Sequence, residues 1–293
     1  MSAQVRRVAI LGHTGRPGVR KAAARLATRL RRRRIEVRFD EYLGPGSSEP
    51  GHALPKLGAW CQLLLSLGGD GTALRGARAL AGKPGVLLPV NLGGLGFLTV
   101  AEELELDSAV DAVLAGAWPI ARRRLVSATR RRTGTRPWRA LGMNDAVIKT
   151  AGGYSAIHLR LETFGSDLGH LVADGLIAAT AAGSTAYSLS AGGPVLAPDL
   201  EALVVTPVCP HTLGSRSLVL SPSDHVTVKV LGSHDPSLLI LDGQDQAEIL
   251  GGDVIEIALS RTAVRVVRNP GRPFGQALHD KLGWQGSAKR SMR

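Results

Sequence analysis

The sequence predicts an α/β domain followed by an all-β domain, and three observations carry that expectation. Two short apolar runs, Cys61 to Leu67 and Val86 to Val90, each end in a glycine-dense turn, as strands buried on both faces of a parallel sheet do. From Arg7 to Phe39 the pattern runs strand, helix, strand, which is a βαβ unit. From about Pro119 the texture changes to short alternating segments broken by turn residues, the signature of largely antiparallel sheet. The boundaries that follow are residues 1–121 for the α/β domain, 122–267 for the β domain and 268–293 for a closing segment.

In chain order, RVAIL (Arg7 to Leu11) is a strand and Gly12 to Gly18 a turn-rich loop that leads into a helix from about Val19 to Arg33. That loop offers His13 and Arg16 as candidate phosphate contacts, although a loop histidine is more often a bystander than a ligand. Ile35 to Phe39 is the next strand, and the Pro, Gly, Ser and Glu content of Gly44 to Gly58 indicates an exposed loop. Behind Thr72 lies a helix, then the strand at Val86, then an acidic, apolar-periodic helix from Glu102 to Leu114. Two glycine-rich turns at the carboxyl ends of neighbouring parallel strands should converge on one crevice, where open α/β sheets bind ligands. The β region supplies strands at Leu125, Trp138, Asp145, Ser155, Ser217, His225, Leu238, Asp253 and Thr262. Pro273 to Trp284 is helical and amphipathic and suited to pack back on the first domain, and Gly286 to Arg293 is expected to fray.

The bulk properties exclude several classes. No apolar segment is long enough to span a membrane, and the apolar part of the N-terminus is too short for a secretory signal. Cys61 and Cys209 show no metal-ligand spacing, no metal-ligating set stands out, and a reducing cytoplasm fits best. The net charge of +12 would suit a nucleic-acid binder. However, no aromatics interleave with the basic residues, and the strongest run, Arg31 to Arg34, ends a helix where cations suit the dipole and point into solvent. No nucleic-acid partner is expected.

The first chemical signal is Ser66-Leu67-Gly68-Gly69-Asp70-Gly71-Thr72, on a strand-to-helix turn. Gly68, Gly69 and Gly71 let the backbone turn sharply and let an anion approach amide N–H groups, with Thr72 able to cap the helix. A carboxylate among them repels phosphate, so Asp70 requires a reason. It could accept a proton from an attacking hydroxyl, hold a magnesium ion on phosphate oxygens, or simply cap an ordinary turn.

The second signal is the uncharged stretch from Asp174 through Gly183-Ser184-Thr185-Ala186-Tyr187-Ser188-Leu189-Ser190 to Gly193. Small hydroxyl and glycine residues so concentrated make either a close-fitting polar surface for a flat ring and ribose or a packing seam. Together with Asn91-Leu-Gly-Gly-Leu-Gly-Phe-Leu, Asn144-Asp145, Thr206-Pro-Val-Cys-Pro-His211 and Asp242-Gly-Gln244, in this order and spacing, these motifs resemble the NAD kinase family from about Val8 to Trp284. GGDGT alone is shared with the diacylglycerol and sphingosine lipid kinases; the GSTAYSLSAGGP block is far more discriminating.

The resemblance implies a Rossmann-like α/β domain, a β-sandwich domain, an active site in the cleft between them, and assembly as homodimers or homotetramers. It implies transfer of the terminal phosphate of ATP, or of polyphosphate, to the 2′-hydroxyl of the adenosine ribose of NAD, with a divalent metal, normally magnesium, on the donor. Asp70 would be the proton acceptor and Gly71 its neighbour at the phosphates. Asn144 and Asp145 would hold ribose hydroxyls and amide groups of NAD. Asp174, the run Thr185, Ala186, Tyr187, Ser188, Leu189 and Ser190, Cys209 and Gln244 would line the dinucleotide site, with Tyr187 on a base.

Departures from the family pattern are specific. Members commonly read Thr-Pro-Thr where this chain has Thr180-Ala181-Ala182, which should loosen a turn and remove a hydroxyl. Many have Ala at Cys209, others Arg at Val172, and some His at Ser155, so a cationic contact that bears on NAD against NADH is missing. Two alternatives follow: a lipid or other small-molecule kinase of the same superfamily, or an NAD-sensing module with weakened turnover.

Overall fold

The computed structural model describes residues 5–44, 50–94, 96–152 and 155–283. The chain forms two compact units. The first takes Met1–Ala73, Gly85–Ala121 and Val266–Arg293, and the second Leu74–Pro84 and Arg122–Arg265.

In the first unit, β1 (Arg7–Gly12), β2 (Glu36–Phe39), β3 (Leu63–Leu67), β4 (Val86–Asn91) and β5 (Ala101–Glu102) form a parallel sheet in the order β5-β4-β3-β1-β2. Every residue of β3 and β4 is buried, which is why both appear as unbroken apolar runs. Strand order reverses between β1 and β3, because β2 lies on one side of β1 and β3 on the other. The helices of the unit are α1 (Val19–Arg32), α2 (Leu54–Trp60), the opening of α3 (Asp70–Leu80) and α4 (Leu106–Leu114). Helix α2 lies where a loop was expected: Pro55 opens it and Leu57 is its buried anchor. The basic run is not wholly given to solvent either. Arg33 Nη1 pairs with Asp111 at 2.7 Å, and Arg31 stands over the Phe39 ring at 5.9 Å.

The tail returns to this unit as expected. Val267 joins its apolar core, Asn269 Nδ2 donates to Val100 O at 2.9 Å, and Arg272 bridges Glu102 and Glu105 at 3.4 and 2.8 Å. A last helix covers Phe274–Leu282 with Leu278 buried. Trp284 and the frayed end expected at Gly286 to Arg293 lie outside the described residues.

The second unit is a two-sheet sandwich. One sheet contains β6 (Ile120–Arg131), β7 (Trp138–Gly142), β9 (Ile157–Thr163), β10 (Ser166–Ala173), β14 (His225–Ser233) and β17 (Val254–Val267). The other runs β13-β12-β11-β8-β15-β16, from Leu218–Leu220, Leu203–Val208, Gly175–Thr180, Asp145–Thr150, Ser237–Leu241 and Asp245–Ile249, all antiparallel. Leu159, Val228 and Ile255 of the first sheet and Ile148, Leu176 and Leu239 of the second share one core. The expected segments at Asp253 and Thr262 are one continuous strand, β17. Strands β10, β11, β12 and β16 had not been expected as strands. Among the described residues no helix is long and apolar enough to cross a membrane.

Candidate active site

The first unit builds its site from two turns. Gly68 N–H donates to Val90 O at 3.0 Å, which ties the turn after β3 to β4. An ideal Cβ on Gly68 would lie 2.4 Å from Thr72 Oγ1, so only glycine lets that side chain tuck under the turn. Helix α3 starts at Asp70: the N–H groups of Thr72 and Ala73 both reach Gly69 O, at 3.0 and 3.1 Å. Gly69, rather than Thr72, therefore holds the capping position, and Thr72 is buried inside the first turn.

Asp70, half-buried at the start of α3, accepts Phe97 N–H on Oδ2 at 2.9 Å and Leu98 N–H on Oδ1 at 3.2 Å. The approach is so close that a Cβ on Gly96 would fall 1.8 Å from Oδ1. The two glycine turns thus converge, as their strands' adjacency required, and the second fixes the carboxylate of the first. Gly71 is different: a Cβ there would meet nothing within 4 Å. Internal packing leaves that face of the turn open.

The second unit centres on Asp242, in the turn that joins β15 to β16. With φ of +51° at Asp242 and +66° at Gly243, this is a primed-type hairpin turn. The buried carboxylate accepts three main-chain N–H bonds, from Met143 at 2.7 Å, Asn144 at 2.8 Å and Asp145 at 3.2 Å. Thr180 grips the same loop from the end of β11: its N–H donates to Asn144 O at 2.8 Å and its hydroxyl to Met143 O at 2.6 Å. The turn at Gly183 presses on it too, since a Cβ there would lie 2.0 Å from Asn144 O.

Held this way, Asn144 and Asp145 are 8% and 6% exposed, and Asn144 Oδ1 is buried without a hydrogen-bond partner. Burial, and then the neighbouring Asp242 charge, push the Asp145 carboxyl up to about 7. Burial raises Asp242 as well, but its three N–H donors favour its charged form, so the proton of the pair resides on Asp145. A buried orphan acceptor beside an acid that titrates near neutrality suits ligand hydroxyl and amide groups.

Two family models match the chain. The ATP-NAD kinase N-terminal domain matches residues 8–118, and the ATP-NAD kinase C-terminal domain matches residues 143–269. The chain belongs to the NAD kinase family. An NAD kinase of Desulforamulus reducens is 36% identical over 281 residues, 95% of this chain and 98% of that protein. One of Moorella thermoacetica is 38% identical over 97% of this chain and 91% of its own length. Among solved structures, yeast NADH kinase complexed with NADH superposes with a TM-score of 0.90 at 25% identity, over 99% of this chain and 91% of that one. An Archaeoglobus fulgidus NAD kinase in complex with ATP gives 0.70 at 26%, over 94% and 97%.

Against that NAD kinase background the remaining expected residues fall into distinct surroundings. Asp174 and Cys209 come together: Asp174 N–H donates to Val208 O at 3.0 Å, and the exposed Cys209 thiol donates to the Asp174 carboxylate, which pushes the thiol up. Tyr187 is 42% exposed and Ser190 is exposed, while Ala186 and Leu189 are half-buried. Thr185 turns its hydroxyl to Ala182 O at 3.2 Å. Ser188 is fully buried with Oγ 3.0 Å from Thr206 Oγ1, so its hydroxyl packs the interior. Gln244 is half-buried and closes the Asp242 turn through its N–H to Leu241 O at 2.9 Å. The turn that lacks the family's proline still closes, because Ser184 Oγ donates to Ala181 O at 2.7 Å and accepts Leu196 N–H at 3.0 Å.

Asp242, Thr180 and the Phe97 and Leu98 amides are the positioning groups that sequence reasoning missed. The motif Asp242-Gly-Gln244 was visible, but its reach to Met143 was not. Among the described residues no three His, Cys, Asp or Glu side chains group as a metal site. A magnesium ion, were one to arrive with donor phosphates, would therefore draw most of its ligands from phosphate and water rather than from this chain.

Proposed function

We propose that this chain phosphorylates NAD at the 2′-hydroxyl of its adenosine ribose with ATP as donor. The observation that carries the reading is the Asp70 carboxylate, fixed by the Phe97 and Leu98 N–H groups at the mouth of a glycine turn where no internal side chain occupies the space over Gly71. Family membership across both units supports NAD as acceptor and ATP as donor. It disfavours a lipid substrate.

Phosphoryl transfer passes through a loose transition state, so the protein's work is alignment, charge neutralisation and late proton removal. The ribose oxygen forms a bond to the terminal phosphorus as the bond to the bridging oxygen breaks, and ADP leaves with that electron pair. The hydroxyl proton passes to an oxygen of Asp70 late in the step. Main-chain N–H donors keep the carboxylate in one orientation, so no reorganisation is needed as the proton arrives. Magnesium, when bound, neutralises charge on the donor phosphates. Asn144 Oδ1 and the Asp145 carboxylate take hydroxyl or amide donors of NAD, and the exposed Tyr187 ring stacks on a base.

The test is direct: incubate the protein with ATP and magnesium and either NAD or NADH, and measure the phosphorylated dinucleotide. Product only with a lipid acceptor, or tight NAD binding without product, would overturn the reading.

A further inference from the structure

The loop after β1 carries a residue that the reaction as described does not use. Arg16 extends its guanidinium across both glycine turns of the first unit. Its Nη1 donates to Asn91 Oδ1 at 2.9 Å. An ideal Cβ on Gly93 would lie 2.8 Å from Nη1, and one on Gly69 would lie 3.1 Å from Nη2. Both turns are therefore bare of side chains where this one group lies over them.

Three further facts bear on its purpose. Arg16 follows β1 and Gly69 follows β3, and these neighbours flank the point where the strand order reverses, the place at which open α/β sheets receive ligands. The partner of Nη1 is a neutral amide, and among the described residues no carboxylate forms an ion pair with Arg16. Finally, a guanidinium over the first turn of α3 sets positive charge against the positive end of a helix, the reverse of what the dipole favours. The carboxylate of that turn, Asp70, is engaged by the Phe97 and Leu98 N–H groups, so the half-buried guanidinium suits a further anion, and its planar fork matches phosphate oxygens.

Building on the function proposed above, we infer that Arg16 binds the polyphosphate chain of the phosphoryl donor. Nη1 stays on Asn91, which aims the group, and the Nη2 edge takes phosphate oxygens. Recognition is of phosphate and not of base, so ATP and inorganic polyphosphate depend on it alike, and the diphosphate of NAD is the rival occupant that the NAD measurement below tests.

The experiment compares Arg16→Gln and Arg16→Lys with the natural protein in two arms. In the first, KM is measured for ATP and for inorganic polyphosphate at saturating NAD, and for NAD at saturating ATP. In the second, binding of inorganic tripolyphosphate is measured by calorimetry with no acceptor present, and melting temperatures are recorded. Arg16→Gln should raise both donor KM values roughly 10- to 100-fold, as loss of a charge-assisted contact does, while KM for NAD moves less than about threefold. Tripolyphosphate binding should weaken by a similar factor, with Arg16→Lys between the two.

Unchanged tripolyphosphate affinity, or an equal rise in the KM values for donor and NAD, would overturn the assignment. So would losses that track a fall in melting temperature, which would make Arg16 a prop for the glycine turns. Should the natural protein make no NADP, the functional reading fails, and the tripolyphosphate arm still decides whether Arg16 holds phosphate.

Discussion

Each unit of the molecule fixes an acidic residue at a glycine-bearing turn, but by opposite means. In the first, Asp70 is half-buried, and its own two oxygens accept the N–H groups of Phe97 and Leu98. In the second, the acid that takes main-chain donors is Asp242, which collects three N–H groups, while Asp145 beside it is buried and holds the pair's proton. One device orients a working carboxylate directly. The other spends a carboxylate on shaping a loop, and so leaves its neighbour with a protonation state that a ligand can shift.

The largest expected effect follows from the first device. Asp70→Asn keeps the shape and one acceptor oxygen but cannot take the proton, so kcat should fall about 10²- to 10⁴-fold with KM for NAD nearly unchanged. Near-normal turnover in the purified variant would remove Asp70 from its role and with it half of the comparison. Next comes Asp242→Ala, which strands three buried N–H donors. A loss of roughly 2–4 kcal/mol in urea denaturation is expected, together with weakened NAD binding. A loss of stability with undiminished NAD affinity would show that Asp242 shapes the fold and not the site.

Asp145 then tests the protonation half of the comparison. Its folded-state pKa is raised, so the stability associated with its neutral form is complete below the ordinary value of 3.8 and is lost as pH climbs towards about 7. Asp145→Asn removes that decline. The variant's advantage over the natural protein should grow by roughly 2–3 kcal/mol between pH 5 and pH 8. NAD binding runs the other way: an ionised Asp145 is the better acceptor for a hydroxyl, so KM for NAD should fall from pH 6 to pH 8 in the natural protein and stay flat in the variant. Parallel stability profiles for the two proteins would mean that Asp145 is already ionised in the folded state.

How much of this was legible in the sequence depends on the range of the interactions involved. β3 and β4 were legible because each is a short run of buried residues with a glycine stop. Helix α2 was not, because Pro55 and Gly58 in so short a segment look like loop composition until Leu57 is seen to be buried. β11 and β12 escaped for a different reason: both central strands are largely buried, so neither alternates, and β11 is built of small residues that resemble a ligand surface. At the site, Asp70 stood out as the lone carboxylate of a glycine-rich turn, whereas Asn144-Asp145 stood out only through the family resemblance. Asp242 did not, since its partners lie 97 to 99 positions away and no local pattern encodes that reach. Arg16 stood out as a candidate phosphate contact of a loop, but its position over Gly69 and Gly93 exists only once three strands are aligned.

The smallest effect makes the sharpest cut between ligand contact and internal packing, because the two units use glycine differently. Gly183 is required by the protein itself: a Cβ would strike Asn144 O at 2.0 Å, so alanine there should disturb both fold and binding. Gly71 has no such reason. It lies in the first turn of α3, its φ is not in the left-handed region, and a Cβ would meet nothing within 4 Å. Alanine at a helical position without a clash stabilises by about 0.5–1 kcal/mol relative to glycine. Gly71→Ala should therefore leave the melting temperature unchanged or slightly raised. If the space over Gly71 belongs to substrate phosphates, the same methyl group should still raise KM for ATP several-fold, a loss of affinity in a protein that has become no less stable. Normal kinetics in that variant would show that the open face is merely solvent, and Asp70 would have to act on a substrate bound elsewhere along the turn.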